Sequence, residues 1–380
     1  MELSIYKSHL LDENEVHEFF ESRKINGSEN YDNLAVRILQ LKEKGISDWE
    51  QLYAMLINKS SQEDILKTLN LQKDNGLASL LSACESVLPD YRVEYLKREV
   101  RRFPLGAKKP LKIKSFKLGI KSGSFQEYAQ NFEVTNKLNE IKMFNSSSFI
   151  LPGSLNHVKS LNSIRDQGDR GSCTAFAVTA ANEFSFFKKT NKYYDFSEQY
   201  LFHETKKIEN DLECGSWITS AMQTVSYKGQ CMESEWSYNP LFPCVQPYGK
   251  PSNADSGASH FKNTFLILYR NNLQRIKEVI TSGRIIPFSI PVFDSWYQNS
   301  ETVRSGRINM PSENENETGG HAMVIVGYND VLSEEYPGGG YFIIRNSWGT
   351  MWGEQNYYGA GYGTIPYQYI LDYGWEIYTF

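Results

Sequence analysis

Residues 163–182 read Ser-Ile-Arg-Asp-Gln-Gly-Asp-Arg-Gly-Ser-Cys-Thr-Ala-Phe-Ala-Val-Thr-Ala-Ala-Asn. The stretch opens as a polar loop with glycines at 168 and 171. It closes as an alanine-rich apolar run of good helix propensity. The changeover predicts a helix starting at Cys173. A helix N-terminus gathers unpaired N–H groups and about half a positive charge, which favours a thiolate over a thiol. Gln167 lies upstream in the same loop, placed to turn its amide toward that point as an oxyanion donor beside the Cys173 N–H. Taken alone, a cysteine opening a helix is more often a small core residue than a nucleophile.

Two later stretches reverse that reading. Gly319-Gly-His-Ala-Met-Val-Ile-Val-Gly-Tyr328 sets His321 at the mouth of an apolar run, where a strand leaves a glycine pair. Tyr341-Phe-Ile-Ile-Arg-Asn-Ser-Trp-Gly-Thr-Met-Trp-Gly353 is a second apolar run, ending in Asn346 and an aromatic, glycine-rich turn. A cysteine nucleophile needs a base for its proton, and the base needs an orienting partner. An early Cys with a distant His and Asn satisfies this, because such groups meet in space rather than in sequence.

Together the segments Gln167-Gly168…Gly171-Ser172-Cys173, Gly320-His321-Ala322 and Asn346-Ser-Trp-Gly-Thr350…Trp352-Gly353 resemble the papain-like (C1) cysteine peptidases, of prokaryotic type. The resemblance covers residues 149–380. It implies an α+β fold of two lobes, a helical lobe bearing Cys173 and an antiparallel sheet lobe bearing His321, with the cleft between them as active site. It also implies catalytic roles for Cys173, His321, Asn346 and Gln167, with Trp348 shielding the Asn346–His321 bond. Substrate contacts are implied for Trp348, Trp236 and the Gly215-Ser216 pair after Cys214. Family members usually carry a Cys three residues before the nucleophile and an aromatic after it. Here those positions hold Arg170 and Thr174, so the family disulfide from the upstream Cys is impossible. The segment 329–340 reads as an inserted surface turn, and 311–318, with three glutamates, as an exposed acidic loop.

Composition bounds the rest. The 380 residues are 40% hydrophobic and 22% charged, with net charge −5, an ordinary globular balance that argues against a nucleic-acid-binding protein. Five cysteines are too few for a disulfide scaffold. Cys231 and Cys244 are within reach of pairing only if the fold brings them together, and the expectation is a fold needing no disulfide. The first residues do not read as a signal peptide, and no run reaches the ~18 apolar residues of a membrane span. The expected compartment is a reducing cytosol. His203 and His260 lack ligand-spaced partners, so neither metal nor other cofactor is expected.

Residues 1–103 read as a small all-helical domain. Val16, Phe19 and Phe20, then Leu34, Ile38 and Leu41, repeat at helical spacing, with Gly45 as a stop. Ser47-Asp-Trp-Glu50 and Ser60-Ser-Gln-Glu63 read as capping boxes, and Asp74-Asn-Gly76 as a turn before a helix that Pro89 ends. Cys84 lies on that helix's apolar face. Residues 104–148 read as a basic, then polar, linker or pro-region, expected to occupy or flank the cleft before activation. The resemblance implies a zymogen acting on protein or peptide substrates. The helical domain reads as an inhibitory or a substrate- or partner-recruiting unit, and the charge balance and lack of a long apolar run lead us to expect neither nucleic acid nor membrane as partner. Two other readings stay open: a silent or partner-binding protein on a peptidase scaffold, and a transpeptidase passing its acyl group to an amine.

Overall fold

A computed structural model describes positions 36, 38, 39, 41 and 46, residues 48–97 except 58, 72 and 89, residues 103–110, and residues 151–380 except 211, 212, 241–243, 245–248, 299, 332 and 333. The expected helix around Val16, Phe19 and Phe20, the stop at Gly45, Ser47, Pro89 and the tract 111–148 lie outside the described residues.

The N-terminal domain contains helices α1 (Trp49–Ile57), α2 (Lys59–Leu69), α3 (Lys73–Val87) and α4 (Asp90–Leu96). Their apolar stripes close on one core of Trp49, Leu52, Leu56, Leu66, Leu80 and Cys84. Asp48 caps α1 by accepting from Gln51 N–H at 2.6 Å. Two sequence readings shift. α2 begins at Lys59, before the expected Ser60 cap, and α3 begins at Lys73, so the Asp74-Asn-Gly76 stretch is helical rather than a turn. Packing against α1 extends both helices beyond their local start signals.

The remainder has the two expected lobes. α5 (Cys173–Thr190) is buried through its first twelve residues, as its alanine-rich, all-round apolar sequence requires. α6 (Glu198–Glu209) starts at the expected cap, Ser197, whose hydroxyl accepts from Tyr200 N–H. α7 (Ile218–Tyr227) ends at Gly229, which takes φ +86°. The sheet comprises β1 (Ser154–Asn156), β2 (Leu266–Ile267), β3 (Ile286–Phe293), β4 (Glu317–Asn329), β5 (Tyr341–Arg345), β6 (Tyr362–Pro366) and β7 (Glu376–Thr379). Its order is β2-β7-β3-β4-β5-β6, antiparallel throughout, with β1 added on β4. β4 is buried from Gly320 through Tyr328 because α5 covers one face and a second apolar core the other. That is why its sequence is a continuous apolar run rather than an alternation.

One pairing overturns an expectation. Cys214 and Cys244 form a disulfide, with Cα atoms 5.1 Å apart, while Cys231 is a buried free thiol. Cys231 packs with Tyr200, Ala254 and Ala258, away from Cys244. Among the described residues no helix is long and apolar enough to cross a membrane.

Arg92, in α4, is not a solvated surface charge. Arg92, 1% exposed, donates to Glu50 Oε2 at 2.5 Å within its own domain and to Glu233 Oε1 at 2.9 Å in the helical lobe. Tyr95 donates from its hydroxyl to Asp166 Oδ1 at 3.1 Å. A buried guanidinium is tolerated because carboxylates from both bodies surround it. These contacts set α4 against the loop that carries Gln167.

Candidate active site

Cys173 is the first residue of α5 and fully buried. His321 enters from the start of β4, opposite Ile290 of β3, and Asn346 follows the last residue of β5. α5 crosses β4, so the helix start meets the strand start. His321 Nε2 lies 2.8 Å from Asn346 Oδ1, which also accepts from Ser347 N–H at 2.8 Å. An oxygen that accepts twice makes Nε2 the donating nitrogen. Nδ1 is buried and has no hydrogen-bond partner among the described residues. The Trp348 ring stacks on the imidazole at 4.3 Å and 22°, closing the His321–Asn346 pair to water.

Gln167 is held on three sides. Its N–H donates to Ser347 O at 2.9 Å, its Oε1 accepts from Ser347 Oγ at 2.7 Å, and its Nε2 donates to Arg170 O at 2.7 Å. The same Nε2 reaches Pro104 O at 3.2 Å, which also accepts from Trp348 Nε1 at 3.1 Å. The loop at 165–168 and the turn at 346–349 are thus laced together, and Gly349 N–H donates to Arg165 O at 3.2 Å. Gly349 takes φ +68°, and a Cβ there would stand 2.6 Å from Asp166 Oδ2. This explains the glycine after Asn-Ser-Trp. Arg170, in the place of the family cysteine, is buried against the Phe202 and Tyr238 rings and donates to Gln199 Oε1 at 2.6 Å.

Residues 103–110 run through the cleft. The amides of Gly106 and Ala107 both donate to Gly320 O, at 3.0 and 2.9 Å. Ser216 N–H donates to Gly106 O at 2.8 Å, and Lys108 N–H to Ser216 O at 2.9 Å, a parallel bridge centred on Ala107 and Ser216. The Phe103 ring lies 5.0 Å from that of Trp348. Gly106 is required here: a Cβ would stand 2.3 Å from the Gly171 backbone. Gly320 answers it, since a Cβ there would stand 2.2 Å from Ala107 O. The amides of Ala322 and Gly106 face the Cys173 sulfur.

Burial opposes ionisation of both groups. Burial pushes the Cys173 thiol up to about 12, although four backbone amides oppose it. Burial likewise pushes His321 down to about 4, against the Asn346 hydrogen bond. Loss of solvation outweighs the helix terminus on which the sequence reading relied.

The structure therefore brings together Cys173, His321, Asn346, Gln167, Trp348 and Ser216. Gly215, φ +86°, abuts Gly106 O and accepts nothing from the cleft, but its N–H holds Gly171 O at 3.0 Å. Trp236 packs instead with Tyr200 and His203 in the helical lobe. Two cleft residues were missed in the sequence, Trp217 and Trp375. The only signal was that Trp217 follows the Cys-Gly-Ser segment. Among the described residues no group of three His, Cys, Asp or Glu is set to hold a metal.

Comparison with known proteins points to one family. The family model described as "Papain family cysteine protease" matches residues 152–365, more than half the chain. An uncharacterized peptidase C1-like protein of Acanthamoeba polyphaga mimivirus is 32% identical over 218 residues, spanning 54% of this chain and 65% of that protein. A cathepsin L-like peptidase of Aedes aegypti is 28% identical over 202 residues, 51% of this chain and 53% of its own. The chain thus spans about half to two thirds of the length of these curated relatives. The crystal structure of Xylellain, a cysteine protease from Xylella fastidiosa, superposes with TM-score 0.52 at 28% identity. The match covers 60% of this chain and 85% of that one.

Proposed function

Because the chain belongs to the papain family of cysteine proteases, we propose that it hydrolyses peptide bonds of protein or peptide substrates through Cys173, His321 and Asn346, and that residues 103–110 restrain it. The observation that carries this reading is the buried His321 ring. Nε2 is committed to Asn346 and Nδ1 carries no hydrogen bond, while the amide of the next residue, Ala322, faces the Cys173 thiol at its helix start. Nδ1 takes the thiol proton, and the sulfur attacks the carbonyl carbon of the scissile peptide. Gln167 Nε2 and the Cys173 N–H hold the oxyanion. Nδ1–H then protonates the leaving amine, and water, deprotonated by the same nitrogen, releases the acyl group from sulfur.

The strap meets the sulfur with the Gly106 amide. It occupies the backbone edge at Ser216 and Gly320 that an extended substrate would use. The helical domain, anchored by Arg92 and Tyr95, delivers the strap to that edge. The same occupancy favours a second reading, a permanently plugged scaffold whose helical domain binds a partner. Storage of the full chain beside Cys173→Ala, followed by intact mass and by hydrolysis of a fluorogenic peptide, separates the two. Trimming and rising activity in the wild type only support the restrained enzyme. A wild type that stays whole and inert, with Cys173 closed to alkylation even after Gly106→Val, refutes it.

A further inference from the structure

Beyond Ser216 the strap ends in Lys108 and Lys109, and the cleft meets both with groups suited to a cation. Lys109 Nζ lies 3.2 Å from Glu317 Oε2 and 5.4 Å over the Trp375 ring. Lys108 Nζ lies 5.0 Å over the Trp217 ring, and Trp217 Nε1 donates to Lys109 O at 3.3 Å. The segments that carry the two indoles are tied together: Glu376, buried, accepts from the amides of Ile218 and Thr219 at 2.9 and 3.1 Å. Glu317 closes the acidic loop that also carries Glu313 and Glu315. Lys206, which lies close enough to Lys108 to repel it, is itself paired with Glu209 and donates to Gly215 O at 2.7 Å. An indole face and a carboxylate together attract an ammonium or guanidinium, whereas the carboxylate repels an acidic side chain and adds nothing for an apolar one.

We propose that the end of the cleft bounded by Trp217, Trp375 and Glu317 is a specificity subsite for a lysine or arginine side chain of the substrate. The inference rests on the peptidase reading for its substrate but not for its chemistry. The strap reaches this place by pairing its backbone with Ser216. Any extended peptide paired on the same edge brings its side chains to the same walls, two to three residues from the position over the thiol. The strap is thus a pseudo-ligand that reports what the cleft selects: a basic residue near, but not at, the bond to be cut.

The test uses the full chain carrying Gly106→Val to expel the strap and Cys173→Ala to prevent turnover. Capped hexapeptides identical except for lysine or norleucine at one position are titrated by calorimetry. The lysine peptide should bind at least fivefold more tightly, and Glu317→Gln or Trp375→Ala should shrink that ratio below twofold. Equal affinities, a tighter norleucine peptide, or no binding of either overturns the subsite. A second measurement needs no strap removal. In the otherwise native chain Lys109→Met should speed alkylation of Cys173 about fivefold, as should Glu317→Gln, and the double variant should gain no more than either. Additive effects refute the pairing. If lysine binding is selective while the Cys173 form, with Gly106→Val, cleaves no peptide, the peptidase reading fails and the subsite stands.

Discussion

Gly106→Val is the sharpest test of the proposed restraint. The built Cβ at 106 falls 2.3 Å from Gly171 carbonyl carbon and oxygen, in backbone that the Cys214 disulfide and the start of α5 hold in place. The strap must therefore leave rather than adjust. It forfeits its two amide bonds to Gly320 O and the pair with Ser216, each worth about 0.5–1.5 kcal/mol net. A loss near 3 kcal/mol raises the open fraction about 150-fold. The valine lies outside the cleft once the strap has gone, so it adds nothing to the catalytic groups. The assay is hydrolysis of a fluorogenic peptide by the full chain, compared with Gly153→Val. At Gly153 a Cβ meets nothing within 4 Å. The expected result is a rise of about two orders of magnitude for Gly106→Val alone, abolished by adding Cys173→Ala. A Gly106→Val protein with unchanged melting temperature and unchanged activity would refute both the blockade and the geometry behind it.

Three further outcomes follow from the site. Gln167→Ala removes the proposed oxyanion donor and should lower kcat by about 10²–10³ with little change in KM, in the Gly106→Val background; an unaltered kcat would assign Gln167 to loop architecture only. Breaking Cys214–Cys244 by Cys244→Ser frees a loop spanning a separation of 30 residues and should cost about 3–4 kcal/mol, read as a lower melting temperature. The same loss under strong reductant, and its absence in the variant, would complete the check. Finally, covering His321 holds its pKa at about 4, below the ordinary histidine value near 6.5. The covered state's advantage is therefore full above pH 6.5 and is lost as pH falls through about 4. Hydrogen exchange of the Gly106, Ala107 and Lys108 amides, corrected for intrinsic rates, should lose roughly a hundredfold protection between pH 7 and 4. Flat protection over that range would place the strap's hold elsewhere.

Much of the site was legible because its signals are local. A polar glycine loop turning into an alanine-rich run marks a helix start whatever lies around it, and Cys173 is that start. The run after Gly319-Gly320 is apolar at every position because both faces of β4 are covered, so His321 at its mouth stood out. The caps in the N-terminal domain were less secure. α2 and α3 begin before their start signals, because tertiary packing overrides a cap worth about 1 kcal/mol.

What the chain's order of residues determined by itself was the chemistry available: a thiol, an imidazole, an amide and a shielding indole, each on the element that suits it. The tertiary structure alone decided their state and their occupant. Cys214 rather than Cys231 pairs with Cys244, because proximity across a loop has no periodicity to read. Burial pushes the thiol up and the imidazole down, against the pull of the helix terminus. Residues 103–110 carry no helical or strand pattern, since their hydrogen bonds go to Gly320 and Ser216 instead of to neighbours. Such a segment acquires its meaning only where two backbones approach closely enough to demand a glycine on each side.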